Sequence, residues 1–171
     1  MHESASGRVP AATPAAHPEP ALQGSAVFEG PSLEALLPHR FPFLLVDRIR
    51  IVEVGRHVVG TKRVTAGEWW CPRDGSPTIA LPFSLVIESM AQTTSALLMC
   101  GTDGTRGAIG YFVAADRIRF RGLARPGDEL QLAMTLQSSR RGICRTTGVA
   151  TVDGCLVASA TLTTILRSAP G

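Results

Sequence analysis

A chain of 171 residues has room for one ordinary domain, and 44% hydrophobic against 18% charged residues is the balance of a polypeptide that buries a core, which excludes full disorder. Aromatic residues make up only 5%, so the core must be aliphatic, while 17 Gly and 12 Pro imply many turns without the period of a collagen or coiled coil. The net charge of +3 hides a split: residues 1–30 hold one Arg and three Glu, which leaves 16 basic and 11 acidic residues in 31–171, with Lys62 the single lysine. An excess of guanidinium suits an acidic or phosphate-bearing partner, and is equally the solvated surface of an arginine-rich protein.

Residues 1–30, opening MHESASGRVPAATPAAHPEPALQG, are rich in Ala and Pro and are expected to form a disordered tail, neither secretion signal nor membrane anchor. Residues 31–171 are expected to form a single domain. Its first strands are DRIRIVEV and RHVVGTKRVT, paired around Gly55. Next comes ALPFSLVIESMAQTTSALLMC, in which Glu88 is the only charged side chain from Gly75 to Thr102. Ser89, Gln92, Thr93, Thr94 and Ser95 make this run too polar for lipid, so it reads as a helix buried in a globular core, with Pro82 in its first turn. After it, Arg117-Ile118-Arg119-Phe120-Arg121 alternates with Phe120 directed inward, and Leu130, Leu132, Met134 and Leu136 alternate with polar or small residues. Turn signals at Arg125–Asp128 and Arg140–Gly142, then Asp153-Gly154, lead to ICRTTGVATVD and CLVASATLTTIL. The total is about six strands in hairpin order with one apolar helix between the second and third. An antiparallel sheet must cover one face, so the expected architecture is α+β, a hotdog fold whose curved sheet wraps one long central helix.

Cys71, Cys100, Cys144 and Cys155 show no metal-ligand spacing, and reduced thiols in the cytoplasm are the expected state. No metal and no cofactor are expected. Glu88 stands out instead: a carboxylate buried without a counter-charge is costly, so it should find partners or take up a proton and serve as a general acid. The alternative is a structural Glu satisfied by a backbone amide or an Arg.

The motifs LLPHRFPFLLVDR at 36–48, IESMAQ at 87–92, GYFVAADRIRFRGLARPGDEL at 110–130 and GVATVDG at 148–154 resemble those of the 3-hydroxyacyl-acyl-carrier-protein dehydratases, the FabZ type. The resemblance runs from about residue 31 to 166. It implies the hotdog fold and removal of water from a 3-hydroxyacyl thioester in fatty acid or polyketide biosynthesis. In that family a His takes the C2 proton, a Glu or Asp on the central helix protonates the departing hydroxyl, and a backbone N–H near the helix start holds the thioester carbonyl. The acid aligns with Glu88. The substrate would arrive on the phosphopantetheine of an acyl carrier protein, with Arg117, Arg119, Arg121 and Arg125 as docking residues.

The departure lies upstream of the acid. The family pattern reads E-P-F-F-x-G-H-F-P-x-x-P-x-x-P-G; here Glu68 matches its first Glu and Pro82 its last Pro, but Asp74 stands in the His position, Arg73 precedes it, and Phe83 replaces the final Gly. His39 belongs to the LPHR motif, structural in the family; His57 sits in a strand, and His2 and His17 lie in the tail. A carboxylate at Asp74 is a weaker proton acceptor than imidazole unless burial raises its pKa. The expected arrangement is therefore a dimer at whose interface a His-bearing homologous subunit completes the site of Glu88, a homodimer using Asp74 being the other possibility. Trp70 and Phe83 would shape the acyl pocket, and Gln92, one turn after Glu88, would hydrogen-bond its carboxyl. A non-catalytic stabilising or acyl-binding subunit and a hotdog thioesterase are the alternative functions. Nucleic acid and membrane are not expected partners, since lysine clusters and aromatic platforms are missing.

Overall fold

The computed structural model describes residues 26–74, 76, 77, 80–100 and 108–168. In chain order they form β1 (Val27–Glu29), α1 (Pro31–Leu36), β2 (Arg48–Glu53), β3 (His57–Arg63), α2 (Phe83–Cys100), β4 (Ala108–Phe120), β5 (Glu129–Arg140), β6 (Ile143–Val152) and β7 (Cys155–Ser168). All seven strands join one antiparallel sheet in the order β1-β2-β3-β5-β6-β7-β4.

Three expectations are corrected. The sheet has seven strands, because Val27–Glu29, within the stretch set apart as a tail, pairs with β2; residues 1–25 of that stretch, with His2 and His17, lie outside the described residues. The strands do not follow hairpin order: β5 already has β3 on one side and β6 on the other, so β4 is displaced to the free edge of β7. Nor does the sheet curl round the helix. It is open, ending on three-residue β1 at one side and on thirteen-residue β4 at the other, and α2 lies chiefly across β3 and β5. One helix covers the width of two or three strands, about 10–14 Å, and offers nothing for the outer strands to close upon.

Turn chemistry sets the three-strand meander β5-β6-β7. Both connections are two-residue turns with positive φ throughout, Arg141-Gly142 (50°, 78°) and Asp153-Gly154 (48°, 76°), the primed geometry that matches strand twist. Alternation then sends Leu130, Leu132 and Met134 of β5, Ile49 and Ile51 of β2 and Val58 of β3 against Val86, Met90 and Leu97 of α2.

Helix α2 begins after Pro82, whose carbonyl accepts the N–H groups of Leu85 and Val86. By length and composition it could span a bilayer, yet over half of it is buried in the fold. Its polar residues are buried because they are satisfied: Ser89 Oγ donates to Leu85 O (2.7 Å) and Thr93 Oγ1 to Ser89 O (2.8 Å). The closest approach of helix to sheet is at Gly60 of β3, where a Cβ would collide with the Thr93 side chain. Gly60→Ala is therefore expected to lower stability by about 1–3 kcal/mol, measured by urea unfolding, and a Thr93→Ala background should restore most of the loss.

Candidate functional site

Glu88 and Gln92 are one helical turn apart on α2 and share a face. Gln92 is fully buried and is hydrogen-bonded throughout: its Oε1 accepts Leu45 N (2.9 Å), and its Nε2 donates to Phe43 O (2.7 Å) and to Glu88 Oε1 (2.9 Å). The amide thus ties the LPHRFPFLL loop to α2 and holds the carboxyl of Glu88. The loop is braced again by Arg40 Nη1, which donates to the carbonyls of Leu37 and His39, and by Trp69, whose Nε1 donates to Pro42 O (2.9 Å) while its ring meets Phe43 at 5.2 Å.

Glu88 is not buried as its apolar helix suggested; 35% of its side chain is exposed. It sits on the rim between α2 and the loop, where its Oε1 accepts Gln92 Nε2. His39 Nε2, expected as part of a structural motif, lies 3.6 Å from the same Oε1. The signal was available, because Gln92 and the loop had both been singled out, but only tertiary structure joins them. Among the described residues, His39 Nδ1 is buried without a hydrogen-bond partner. A proton on Nε2 faces the carboxylate oxygen, whereas one on Nδ1 would be a buried donor with no acceptor.

Asp74 is fully exposed, and its Oδ1 accepts Ser76 N at 2.9 Å. The Ser76 backbone N–H and then its hydroxyl hold the Asp74 carboxyl below the usual range, opposite to the shift a base requires. Phe83 is exposed at the start of α2 and stacks on Phe120, with ring centroids 4.1 Å apart. Phe120 is 37% exposed, so it is not the inward core residue that alternation suggested. The N–H groups of Phe83 and Ser84 belong to the first helical turn, where no i−4 carbonyl is available to them. Trp70 is half-buried against the core, and its Nε1 donates to Glu68 Oε2 (3.0 Å).

That carboxylate anchors the segment leading to Asp74. Lys62 Nζ, almost wholly buried, meets Glu68 Oε2 at 2.8 Å, and Thr65 N donates to Oε1. Burial alone would raise the pKa of Glu68, but the bonds from Lys62, Thr65 and Trp70 outweigh it and hold the carboxyl below its ordinary value.

The four arginines separate. Arg117 and Arg119 line a cavity on the sheet face away from α2. Arg125 follows Ala124, whose carbonyl accepts Leu81 N just before α2, so Arg125 and exposed Arg121 stay at the helix-start end. Among the described residues no group of three or more His, Cys, Asp or Glu could hold a metal ion, and the four cysteines are free thiols.

A family model for the FabA-like domain matches residues 37–161. The 3-hydroxyacyl-[acyl-carrier-protein] dehydratase FabZ of Roseiflexus sp. (strain RS-1) is 41% identical over 134 residues, 78% of this chain and 93% of that protein. The FabZ of Syntrophotalea carbinolica is 44% identical over 127 residues, 74% of this chain and 86% of that protein. Among solved structures, the dehydratase heterocomplex ApeI:P from Xenorhabdus doucetiae superposes with a TM-score of 0.65 at 20% identity, over 80% of this chain and 91% of that one. Zebra fish thioesterase superfamily member 2 superposes at 0.60 and 20% identity, over 79% and 93%. At such identities these structures share the fold alone, and the fold serves more than one chemistry.

The Lys62–Glu68 pair yields a stability test. Glu68→Gln leaves a buried ammonium without its counter-charge and should cost about 3 kcal/mol at neutral pH. Because the folded carboxyl titrates below the unfolded one, the stability gap between wild type and variant should be constant above about pH 5 and shrink as pH falls through the folded value, read from urea midpoints.

Proposed function

The chain belongs to the FabA-like family, and from that membership we propose that it is a FabZ-like dehydratase of carrier-bound 3-hydroxyacyl thioesters in fatty acid or polyketide biosynthesis. Glu88 is the acid. In the elimination a base takes the C2 proton, the C2=C3 double bond forms as the C3–O bond breaks, and the proton on Glu88 Oε2 leaves with the hydroxyl as water. Gln92 and His39 both face Oε1, which reserves Oε2 for the substrate. Electrostatic help comes from the N–H groups at the start of α2, directed toward the developing negative charge on the thioester oxygen.

The observation that carries the reading is an acid held ready without an imidazole free to act as base. His39 Nε2 lies against Glu88 Oε1 at 3.6 Å, Asp74 is solvated and acidified, and His57 Nδ1 is engaged by Thr135 Oγ1 at 3.0 Å on another strand. A His-bearing homologous subunit supplies the base across an interface. Edge strand β4 is the surface for that subunit: its outer side is unpaired, and Tyr111, Phe112, Val113, Ile118 and Phe120 are all exposed on it. A long apolar edge left bare invites aggregation, and a second sheet edge relieves it. The dehydratase heterocomplex among the structural neighbours supports such an arrangement of two hotdog chains. An acyl carrier protein delivers the substrate, its acidic surface meeting Arg121 and Arg125 at the helix-start end. The pair works in the cytoplasm, where its thiols stay reduced.

Co-purified with a His-bearing homologue and assayed on a 3-hydroxyacyl-carrier substrate, the pair should be active and the chain alone inactive. Glu88→Gln in the pair should lower kcat by about a hundredfold or more, while Asp74→Asn leaves it unchanged. An active lone chain that Asp74→Asn silences would overturn the two-subunit reading.

A further inference from the structure

We propose that the sheet face remote from α2 carries a binding site for an amphipathic anion, a phosphate or carboxylate head on an aliphatic body. Register creates it. Across six strands the partners Arg50↔Val59, Val59↔Ala133, Ala133↔Val149, Val149↔Ser159 and Ser159↔Arg119 form one continuous row on this face. Arg119 ends the row on edge strand β4, Arg50 stands near its other end with only Val27 of β1 beyond it, and the four residues between the two arginines are small or aliphatic. The row spans about 24 Å, and over it opens a cavity of about 620 Å³, the size that holds a small-molecule ligand.

The head belongs at the β4 end. Between Asp116 and Arg119 the register of β4 against β7 shifts by a bulge, with Arg117 at φ 51°, and both Arg117 and Arg119 line the cavity. A bulge that re-aims a side chain, at a non-Gly residue with positive φ, costs stability and brings two guanidiniums to one place. Among the described residues none of Arg50, Arg117 and Arg119 is in a salt bridge. Acids are near but turned elsewhere: the adjacent row begins at Glu53, paired with Arg56, and ends at Asp116, and neither lines the cavity. Charge complementarity therefore selects an anion, and the apolar floor from Val149 to Val59 selects one with a body able to cross three strands, about 10 Å from first to last. Thr135, Thr147 and Thr161 add hydroxyls along one wall. This face is opposite to the one carrying Glu88, so the site stands whether or not the dehydratase reading does.

Calorimetric titration of the full chain with decyl phosphate, decanoate and inorganic phosphate tests it. One of the two amphiphiles should bind saturably, at least tenfold tighter than inorganic phosphate, and the stronger of them identifies the head. Arg119→Ala should weaken binding about tenfold or more, Arg119→Lys should restore part of it, and Glu88→Gln should leave it unchanged. Thermal melts confirm that each variant is folded; if Arg119→Ala is not, Arg50→Ala and Ala133→Glu serve in its place. Equal affinity for inorganic phosphate, loss of binding in Glu88→Gln, insensitivity to the arginine variants, or no binding by either amphiphile would overturn the proposal. So would burial of this face by a second copy in solution, seen as protection of its arginines from dicarbonyl modification on oligomerisation.

Discussion

One buried carboxamide holds the candidate site together. Gln92 uses its oxygen on Leu45 N and its two N–H groups on Phe43 O and Glu88 Oε1, so a single side chain connects a loop before the sheet, the central helix and the acid. Leu45 N is buried and would otherwise be unpaired, and leaving such a group unmet costs about 1–3 kcal/mol. The loop cannot lift from α2 without breaking two of these bonds. His39, carried by the same loop, is thereby kept against the carboxyl.

That constraint fixes where the Glu88 carboxyl stands. Glu88 is part of a connected polar network that fixes its Oε1. Asp74 has no such support: it sits in solvent on a segment anchored further back, at Glu68 and Lys62, and its nearest partner is Ser76 two residues on. Positioning, rather than residue type, separates a usable carboxyl from a bystander.

The two faces of the sheet differ in composition. One is covered by α2 and carries the acid at its rim. The other is small-floored, rich in hydroxyls and flanked by guanidiniums, and its composition follows from register as much as from sequence: a one-residue slip would send Arg119 and Val149 inward and Leu132 and Ala150 out. The β4 bulge is the place where that register is adjusted.

Much of this was legible without coordinates. Alternation and turn signals located six of the seven strands, Asp153-Gly154 marked its hairpin, and the lone charge on an apolar helix drew attention to Glu88, because periodicity and turn chemistry are local properties. The motif blocks identified the family for the same reason: they are contiguous in the chain. Strand order, the openness of the sheet, the contact of His39 with Glu88 and the separation of Arg117 and Arg119 from Arg121 and Arg125 were decided only by tertiary structure. Each of these joins residues far apart in sequence, and such pairings are chosen by competition for sheet edges and core volume, which no local pattern records.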